Sequence, residues 1–521
     1  MNWKLTFVFF TFYISFPVID GQNPIGLKVN GYLRNILLGS AIRVQSLRNM
    51  LDNGEYNNIL TKNYQVVVPE AELKPRSIWI AENVYNWNDS DWLLGSSANS
   101  TGWIQKNQLK LRGHNLVWAL DKWTPDWLLQ QESKLTPSKA LSLMSDYIHT
   151  VVSRYRGKIP WWDVVNEAID DIPNTNPFNL RNCFWFRKLG PDFLKYAFIF
   201  AHEADPDLQL YYNDFDIETI GIKTNQTIAL INWLRSQGAI VHGVGLQWHI
   251  STTTTIEPGD GHYRSAQQFV DQRLDFMITE LDVSMLTIGG YPINSSDLEL
   301  QGRVFRSVVQ YALNFLPKCQ AMLTWGFTDR YSWIPSFREN KQGAALPIDW
   351  MYLPKTAYWQ MQEELGRVLM DGHYRLSPQL QPNKCLGVSN NGTMDIVKLF
   401  DEPCQNPNQI WNLTWLDDGT YRIESFSDLN NRVLVVYNAT KTVDPVQVTS
   451  QTNGFDQEWA FSPQGTNLFR VVPRTAWWRV MTVYDQSTIA IVDYIGSESQ
   501  NWIITRAELI HEERVSDIVF L

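Results

Sequence analysis

The chain has 521 residues, of which 44% are apolar and 19% charged, a balance typical of a globular protein with more than one domain. Its formal net charge is −10 and no stretch is rich in basic residues, so neither nucleic acid nor an anionic membrane is an expected partner. The 23 Trp and 21 Tyr residues exceed what a core requires. They fit either large cores or aromatic platforms for flat, partly apolar ligands such as sugar rings.

Residues 1–21 are predicted to be a cleaved secretory signal, which implies a secreted, extracellular protein. The positively charged Lys4 precedes an apolar run, LTFVFFTFYISF, and the small residue Gly21 follows it. This run is too short to cross a bilayer as a helix. Seven Asn-X-Ser/Thr sequons come after it and fit a glycosylated protein, namely Asn88, Asn99, Asn225, Asn294, Asn391, Asn412 and Asn438.

Between residues 37 and 366, short apolar runs alternate with longer segments of helical spacing such as Pro137–Tyr155. The predicted strands are Leu37–Ile42, Asn63–Val68, Leu109–Trp118, Trp161–Asn166, Leu208–Asn213, Ile240–Gln247, Leu274–Glu280 and Gln320–Gly326. Eight strands alternating with helices predict an α/β fold, a parallel (β/α)8 or TIM barrel. We assign residues 22–366 to this domain.

After residue 366 the pattern changes to short β-like runs separated by Asn, Gly and Ser turns. A Gln-X-Trp triplet occurs at Gln409, Gln457 and Gln500, at intervals of 48 and 43 residues, which indicates internal repetition. Residues 372–507 are therefore predicted to form a second, all-β domain. No long Pro- or Ser-rich linker separates the two parts, so they are expected to abut.

The chain has four cysteines. Cys385 and Cys404 lie close together in the second domain, and we expect them to form a disulfide in an oxidising compartment. Cys183 and Cys319 are far apart, and the sequence does not indicate their state. No cysteine or histidine pattern resembles a metal site, so neither a metal nor a cofactor is expected.

Polar and aromatic residues follow the predicted barrel strands, at the end of the barrel where such folds carry their chemistry. They are, in chain order, Glu70, Lys74, His114, Trp118, Asn166, Glu167, Asn213, Asp214, Gln247, His249, Glu280 and Trp325. A single Glu at a strand end usually caps a helix or lies on the surface. Glu167 and Glu280 each end a strongly apolar strand and have His, Gln, Asn and Trp beside them, which favours a functional site.

Two carboxyl groups among aromatic side chains are the equipment of glycoside hydrolysis. One carboxyl must give a proton to the leaving oxygen, and the other must be ionised to attack the anomeric carbon or to activate water. His249 could be a core histidine bonded to a carbonyl. We favour a place beside Glu280 together with Asp282, where it keeps the carboxylate ionised and oriented.

The segments WDVVNEAI, FMITELDVS, RGHNLVW, LYYND, GVGLQWH and TWGFTDRYSW resemble glycoside hydrolase family 10, whose type members are endo-β-1,4-xylanases. The resemblance covers about residues 30–366. It implies a retaining double displacement with Glu167 as general acid/base and Glu280 as nucleophile, and Asn166 on the 2-hydroxyl of the sugar at the cleavage point. The other implied substrate contacts are Glu70, Lys74, His114, Trp118, Gln247, Trp325 and Trp333.

The sequence departs from the family pattern at two places. Many members have Asn after the Glu of the second-strand motif, and this chain has Ala71. Many also have His after the Trp of the third strand, whereas here Ala119 is followed by the longer loop LDKWTPDW. Both departures affect the sugar preference expected on the non-reducing side of the site.

The second domain resembles a ricin B-type β-trefoil through its three Gln-X-Trp triplets and the pair of Cys385 and Cys404. The triplets are structural in that family, so they imply the fold and leave sugar binding open. The sugar-binding Asp of the family usually follows Cys-Leu. This chain has Gly387 there, with Val435 and Thr482 at the corresponding places of the later repeats.

These features predict a secreted, monomeric endo-β-1,4-xylanase that acts on xylan or a related β-1,4-linked plant polysaccharide. Two alternatives stay open. The same mechanism could act on cellulose or a mixed-linkage glucan, because Ala71 loosens a subsite that reads the sugar. The chain could also be a catalytically silent polysaccharide-binding protein, although both carboxylates are present.

Overall fold

We describe a computed structural model of the chain, which covers residues 26–507 apart from 51, 98, 391–394, 428–431, 438 and 486–487. The predicted signal segment and the sequons at Asn391 and Asn438 lie outside these residues. Within the described part, no helix has the length and apolar character needed to cross a membrane. The structure has a barrel followed by an all-β region with antiparallel sheets.

The barrel contains eight parallel strands that pair in chain order and close on themselves. They are β1 Leu37–Ile42, β2 Val66–Pro69, β3 Lys110–Trp118, β4 Trp161–Asn166, β5 Gln209–Asp214, β6 Gly243–Leu246, β7 Asp275–Ile288 and β8 Cys319–Thr324. The predicted (β/α)8 barrel is confirmed. Short antiparallel pieces decorate it at Trp79–Ala81, Val84–Tyr85, Tyr291–Pro292 and Gln342–Gly343.

Most strand boundaries shift from those predicted, by one to three residues at most ends and by more at the end of β7, and two of the shifts have a visible cause. Asn63 belongs to a helix, Glu55–Asn63, and β2 begins only at Val66, because the Asn63 carboxamide accepts the backbone N–H of Leu27 and holds the helix end in the core. β7 continues well past Glu280 to Ile288, and its extension pairs with Gln342–Gly343. The predicted strand had stopped at the carboxylate.

The helices surround the barrel and bury one face each. The helix Pro137–Arg154 begins at Thr136, whose hydroxyl accepts the N–H of Lys139 at 3.2 Å, and Pro137 fills the first helical position. Its buried residues recur at helical spacing. The other helices of more than four residues are Leu27–Leu33, Val44–Asn49, Glu55–Asn63, Asn88–Leu94, Asp126–Gln130, Phe184–Leu189, Asp192–Ala204, Ile222–Ser236, Gly261–Asp271, Ser295–Asn314 and Thr356–Gly366.

The C-terminal region has strands Gly372–Pro378, Lys384–Asn390, Asp395–Asp401, Trp411–Leu416, Thr420–Ser425, Arg432–Val435, Asp444–Pro445, Gln447–Ser450, Glu458–Gly465, Leu468–Pro473, Arg479–Val483, Ile489–Asp493 and Trp502–Arg506. They surround one apolar core. The expected disulfide between Cys385 and Cys404 is present, with the two Cα atoms 5.9 Å apart. Cys183 and Cys319 are buried free thiols.

The Gln-X-Trp triplets make the same contacts three times in this region. Trp411, Trp459 and Trp502 are fully buried. Their indole N–H groups donate to the carbonyl oxygens of Leu386, Leu434 and Met481 at 2.9, 3.0 and 2.8 Å. Each Gln closes the preceding turn by accepting a backbone N–H, from Asn406, Thr452 and Ile495 respectively. The repetition seen in the sequence is therefore a repetition of structure.

The first helix, Leu27–Leu33, joins the two parts of the chain. Val29 and Leu33 pack with Ala460, Val472 and Val480 of the C-terminal region in a small separate core. The hydroxyl of Ser462 donates to the carbonyl oxygen of Leu33 at 2.7 Å. Tyr32 meets Trp477 edge-on with ring centroids 5.3 Å apart. The two parts abut, as the lack of a linker predicted.

Candidate active site

Glu167 directly follows β4 and is 9% exposed. Its backbone has φ 54°, and its N–H donates to the carbonyl oxygen of Asn213 at 2.9 Å. This left-handed conformation is uncommon for a residue with a Cβ, and it turns the side chain back over the strand ends. An uncommon backbone conformation at a carboxylate is a frequent mark of a functional site.

The Glu167 carboxylate accepts hydrogen bonds from neutral donors. The indole N–H of Trp118 donates to Oε2 at 3.0 Å. The carboxamides of Gln247 and Asn166 donate to Oε1 at 3.0 and 3.2 Å. These donors fix the orientation of the carboxyl group, and each is an uncharged side chain.

Glu280 lies within β7 and is 5% exposed. Asn213 donates its carboxamide N–H to Oε1 at 2.7 Å. The Asn213 carboxamide is itself oriented by the hydroxyl of Thr279, which donates to its Oδ1 at 2.7 Å. Oε2 of Glu280 lies 3.3 Å from Nε2 of His249. Glu280 therefore has a charged partner on one oxygen and a fixed amide on the other.

His249 bridges two carboxylates. Its Nδ1 lies 2.9 Å from Oδ2 of Asp282, which also accepts the indole N–H of Trp333 at 2.9 Å. Burial by itself would lower the pKa of His249, but Asp282 and Glu280 outweigh burial and raise the pKa well above its usual value. His249 lies in the predicted place beside Glu280 and Asp282, and its raised pKa favours the charged imidazolium that can donate from both nitrogens.

The same contacts determine the ionisation of Glu280. Burial favours a raised pKa, but hydrogen bonding to His249 and the charges of His114 and His249 bring the pKa of Glu280 below its usual value. The hydrogen bond from Asn213 acts in the same direction. Glu280 is therefore ionised at neutral pH. Glu280 thus differs from Glu167, whose side-chain donors in the described part of the chain are all neutral.

The two carboxylates belong to one hydrogen-bond network. The Asn213 carboxamide also donates to Oδ1 of Asn166 at 2.8 Å, and the Nδ2 of Asn166 donates to Glu167. The Asn213 position requires a glycine on β6, because a Cβ on Gly245 would stand 2.0 Å from the Asn213 Oδ1. Glu167 and Glu280 are thus held in a fixed relation through two asparagines.

A cluster of aromatic rings lies beside the carboxylates. Trp118 and Trp123 stack in parallel, with ring centroids 4.7 Å apart and planes 9° apart. The Nζ of Lys74 lies 4.5 Å from the Trp123 centroid and 5.7 Å from that of Trp325. Burial lowers the pKa of Lys74, and the charges of Glu280, Glu70 and Glu167 oppose this effect.

His114 packs edge-on against Trp325 with ring centroids 5.3 Å apart. Its Nδ1 lies 2.9 Å from Oδ2 of Asp163, inside the barrel. Asp163 also forms a fully buried ion pair with Arg112. Burial would raise the pKa of Asp163, but Arg112 and His114 bring the pKa below its usual value. His114 is therefore mounted on a buried charged support.

Glu70 follows β2, but its carboxylate pairs with the guanidinium of Arg43 at 3.2 Å. Burial raises the pKa of Glu70, and Arg43 and Lys74 oppose this effect. Glu70 makes no hydrogen bond to the network of Glu167 and Glu280 among those seen in the described residues. Its predicted contact with a sugar stays a prediction.

Some parts of the site were not predicted. Thr279 and Asp163 orient Asn213 and His114, and both had looked like ordinary strand residues in the sequence. Trp123 lies in the loop that follows Ala119, and the surplus of tryptophans was the only signal that pointed toward it. Asn213 had been noted only as a residue at a strand end.

A second network supports the Glu167 backbone. The guanidinium of Arg181 donates to the carbonyl oxygen of Glu167 at 3.0 Å and pairs with Asp171 at 2.8 Å. Lys223 pairs with both Asp171 and Asp214 at 2.9 Å. Burial raises the pKa of Asp214 to about 6. These charges lie behind the site and hold the turn after β4.

The sequence matches the family described as Glycosyl hydrolase family 10 over residues 31–364. This chain belongs to that family. It is 32% identical over 354 residues to Endo-1,4-beta-xylanase B of Thermotoga neapolitana. The alignment covers 67% of this chain and 94% of the relative. It is 29% identical over 357 residues to Exoglucanase XynX of Acetivibrio thermocellus, which covers 67% of this chain and 30% of that relative.

The structure is also similar to solved family members. Xylanase 10B from Thermotoga petrophila RKU-1, in complex with xylobiose, aligns with a TM-score of 0.59 and 30% identity, covering 65% of this chain and 97% of that one. Native xylanase 10B from Thermotoga maritima aligns with a TM-score of 0.58 and 31% identity, covering 65% and 98%. As a family 10 member, this chain is a retaining glycoside hydrolase.

Proposed function

We propose that the protein is an endo-β-1,4-xylanase that cleaves internal bonds of xylan. The observation that carries the proposal is the unequal surroundings of two carboxylates in one network, with Glu280 paired to an imidazolium and Glu167 held by neutral donors. Unequal surroundings let two carboxyl groups perform opposite tasks. The likeness to named xylanases supports xylan as the polymer.

In the proposed mechanism, the Glu280 carboxylate attacks the anomeric carbon and the glycosidic bond breaks. Glu167 protonates the departing oxygen, so that the leaving sugar departs as a neutral alcohol. Water then attacks the glycosyl-enzyme and gives its proton to Glu167. This step frees Glu280 and releases a sugar that has the original anomeric configuration. The Asn166 carboxamide, which accepts a hydrogen bond from Asn213, is proposed to bind the 2-hydroxyl of the sugar.

The substrate contacts proposed from the family are Lys74, His114, Trp118, Gln247, Trp325 and Trp333. Trp118 and Gln247 donate to Glu167 directly, and Trp333 connects to Glu280 through Asp282 and His249. The cation of Lys74 lies over the Trp118 ring, 4.8 Å from its centroid. These contacts support a pyranose subsite with an aromatic wall and hydrogen-bond donors.

The test measures reducing-sugar release from xylan and from carboxymethyl cellulose, and follows the anomeric configuration of the product by NMR. Xylan hydrolysis with retention is expected. A Glu280→Gln variant should lose turnover and keep the fold, whereas Glu203→Gln on the outer helix Asp192–Ala204 should behave as wild type. Substantial turnover by Glu280→Gln, or an inverted product, would reject the assignment.

A β-1,4-glucan is the second candidate substrate, because one relative is named an exoglucanase and because Ala71 removes a side chain from the second-strand motif. The same assay separates the two. Faster release from carboxymethyl cellulose than from xylan would favour the glucan. Release from neither polymer would favour a polysaccharide-binding protein.

We infer that the C-terminal region is a ricin B-type β-trefoil. Its support is the threefold recurrence of the Trp-to-carbonyl bond and of the Gln-closed turn. The family's usual sugar sites have no room for their Asp here. A Cβ on Gly387 would stand 2.6 Å from the Asn408 carbonyl oxygen, Val435 is fully buried, and Thr482 donates its hydroxyl to the Ser499 carbonyl.

Secretion and glycosylation are proposed from the sequence. The sequon asparagines Asn88, Asn99, Asn225 and Asn294 are exposed, and Asn412 is half-buried with its amide on Glu424. We expect the exposed sites to carry glycans when the protein is made in a eukaryotic secretory host. Amino-terminal sequencing of the secreted protein should begin near residue 22, and an intact N-terminus would contradict the signal assignment.

A further inference from the structure

The C-terminal region carries a cleft of about 830 Å³. A volume of this order suits a small ligand or a short stretch of a polymer. The cleft lies apart, in sequence, from every residue of the candidate active site. Its lining includes Thr440, Lys441, Asp456, Trp478, Arg479 and Asp493.

Trp478 lines this cleft, and its surroundings differ from those of its neighbour Trp477. Trp477 turns toward the first helix and packs on Tyr32, whereas Trp478 is 52% exposed. The backbone N–H of Tyr494 donates to the Trp478 carbonyl at 3.3 Å, which anchors the turn that presents the ring. A large indole left half in water beside a cleft offers a flat apolar face to a ligand.

The charges around the cleft are balanced. Lys441 and Arg479 are positive, and Asp456 and Asp493 are negative. Arg479 is 2% exposed, and its charge is already matched by Asp444, whose Oδ2 lies 2.5 Å from Nη1. A ligand with a net charge gains little from such a site. The balance therefore favours a neutral ligand.

Asp493 has a carboxylate in this cleft whose ion pair with Arg479 is long. The Nη2 of Arg479 donates hydrogen bonds to the carbonyl oxygens of Thr442 and Ile491. The Arg479 atom nearest to Asp493 is Nε, which lies 3.5 Å from Oδ1. That distance is too long for a hydrogen bond. The Asp493 side chain is 79% exposed, so its oxygens can accept hydrogen bonds from the hydroxyl groups of a ligand. Asp444 cannot, because it is buried and its Oδ2 already accepts from Arg479 and from the backbone N–H of Lys441.

We propose that this cleft binds a short stretch of xylan, with one pyranose ring on Trp478 and its hydroxyls donating to Asp493. The choice of xylan rests on the proposed function of the barrel. The site is distinct from the positions of Gly387, Val435 and Thr482, where lectins of this fold place their carboxylate. It would keep the enzyme on an insoluble polymer between cleavage events.

The experiment compares the full-length chain with its Trp478→Ala and Asp493→Asn variants, made in a bacterial host. That host leaves the protein without N-glycans, which matters because Thr440 completes the sequon of Asn438 and lines the cleft. Depletion from insoluble xylan should weaken about tenfold in Trp478→Ala, since an aromatic stacking platform is lost. Tyr484→Ala, which removes a 57%-exposed aromatic outside the cleft, is the matched control.

Two activity measurements separate failure of this proposal from failure of the proposed function. Hydrolysis of soluble xylohexaose should be equal in all variants, and hydrolysis of insoluble xylan should fall in Trp478→Ala and Asp493→Asn. Wild-type inactivity on xylohexaose would overturn the function. Normal xylohexaose turnover with unchanged xylan retention in Trp478→Ala would overturn the cleft. The xylan-binding proposal would also be overturned if Trp478→Ala and Asp493→Asn lost retention on insoluble cellulose and kept retention on insoluble xylan.

Discussion

The side-chain amide of Asn213 donates to Oε1 of Glu280 across 2.7 Å, and the same amide lies 2.8 Å from Oδ1 of Asn166. One residue on β5 thus orients a carboxylate on β7 and the asparagine that precedes Glu167. Thr279 prevents the carboxamide from rotating by donating to its other end. The geometry of the pair therefore depends on this amide, which contacts both sides of the network.

Replacing Asn213 by Ala should lower kcat/KM on xylohexaose by about 10- to 150-fold, since a hydrogen bond to a charged group contributes about 1.5–3 kcal/mol. Steady-state kinetics measure the change. Asn225→Ala removes an exposed carboxamide from the outer helix Ile222–Ser236 and is the control. Unchanged kinetics in Asn213→Ala would show that Glu280 does not need the amide.

The acid limb of activity should move when His249 is replaced by Gln. His249 holds the pKa of Glu280 below its usual value. The wild-type enzyme therefore keeps its nucleophile ionised until the pH falls below the pKa of an ordinary carboxyl group. Without the cation, the Glu280 pKa rises, and the limb should move upward by about one pH unit or more. The pH dependence of kcat/KM measures it, with His149→Gln on the outer helix as control.

The same ion pair should appear in the pH dependence of stability. The pKa of His249 is raised, so its contribution to the free energy of unfolding is complete below the ordinary pKa of about 6.5 and is lost as the pH rises through the raised value. The stability difference between wild type and His249→Gln should therefore shrink in alkaline solution. Urea unfolding at neutral and alkaline pH tests this, and a constant difference would contradict it.

Trp118 and Trp123 form a matched pair for a test of the indole hydrogen bond. Trp118→Phe keeps an aromatic ring in the stack but removes the donor to Glu167, so kcat should fall about tenfold. Trp123→Phe keeps the stack and leaves the Glu167 donor intact, so kcat should change little. Equal losses in both variants would assign the effect to ring packing.

Trp502→Phe should destabilise the C-terminal region by about 1–3 kcal/mol, because the buried Met481 carbonyl loses its donor. The variant should unfold at a lower urea concentration and still hydrolyse xylohexaose under native conditions. Trp478→Phe, at an exposed indole, is the control. A loss of xylohexaose activity in native buffer would mean that the barrel needs the intact repeat.

The barrel was predictable because parallel strands buried on both faces read as apolar runs. The end of β7 was not, since its extension is stabilised by Gln342–Gly343, which is far away in sequence. Glu167 and Glu280 could be found because motifs surround them. Trp123 could not be found in this way. The conformation of its loop determines which loop side chain reaches the site, and no local sequence pattern indicates that conformation.

The helix Leu27–Leu33 leaves the ribosome first among the described elements, but its partner Ser462 follows 429 residues later. At usual rates of synthesis the gap lasts about 20–90 s. During that time Val29 and Leu33 have no apolar cover from Ala460, Val472 and Val480. The C-terminal region thus covers the apolar face of the first helix only at the end of synthesis. Protein truncated after residue 366 leaves that face exposed and should aggregate more readily than the full chain.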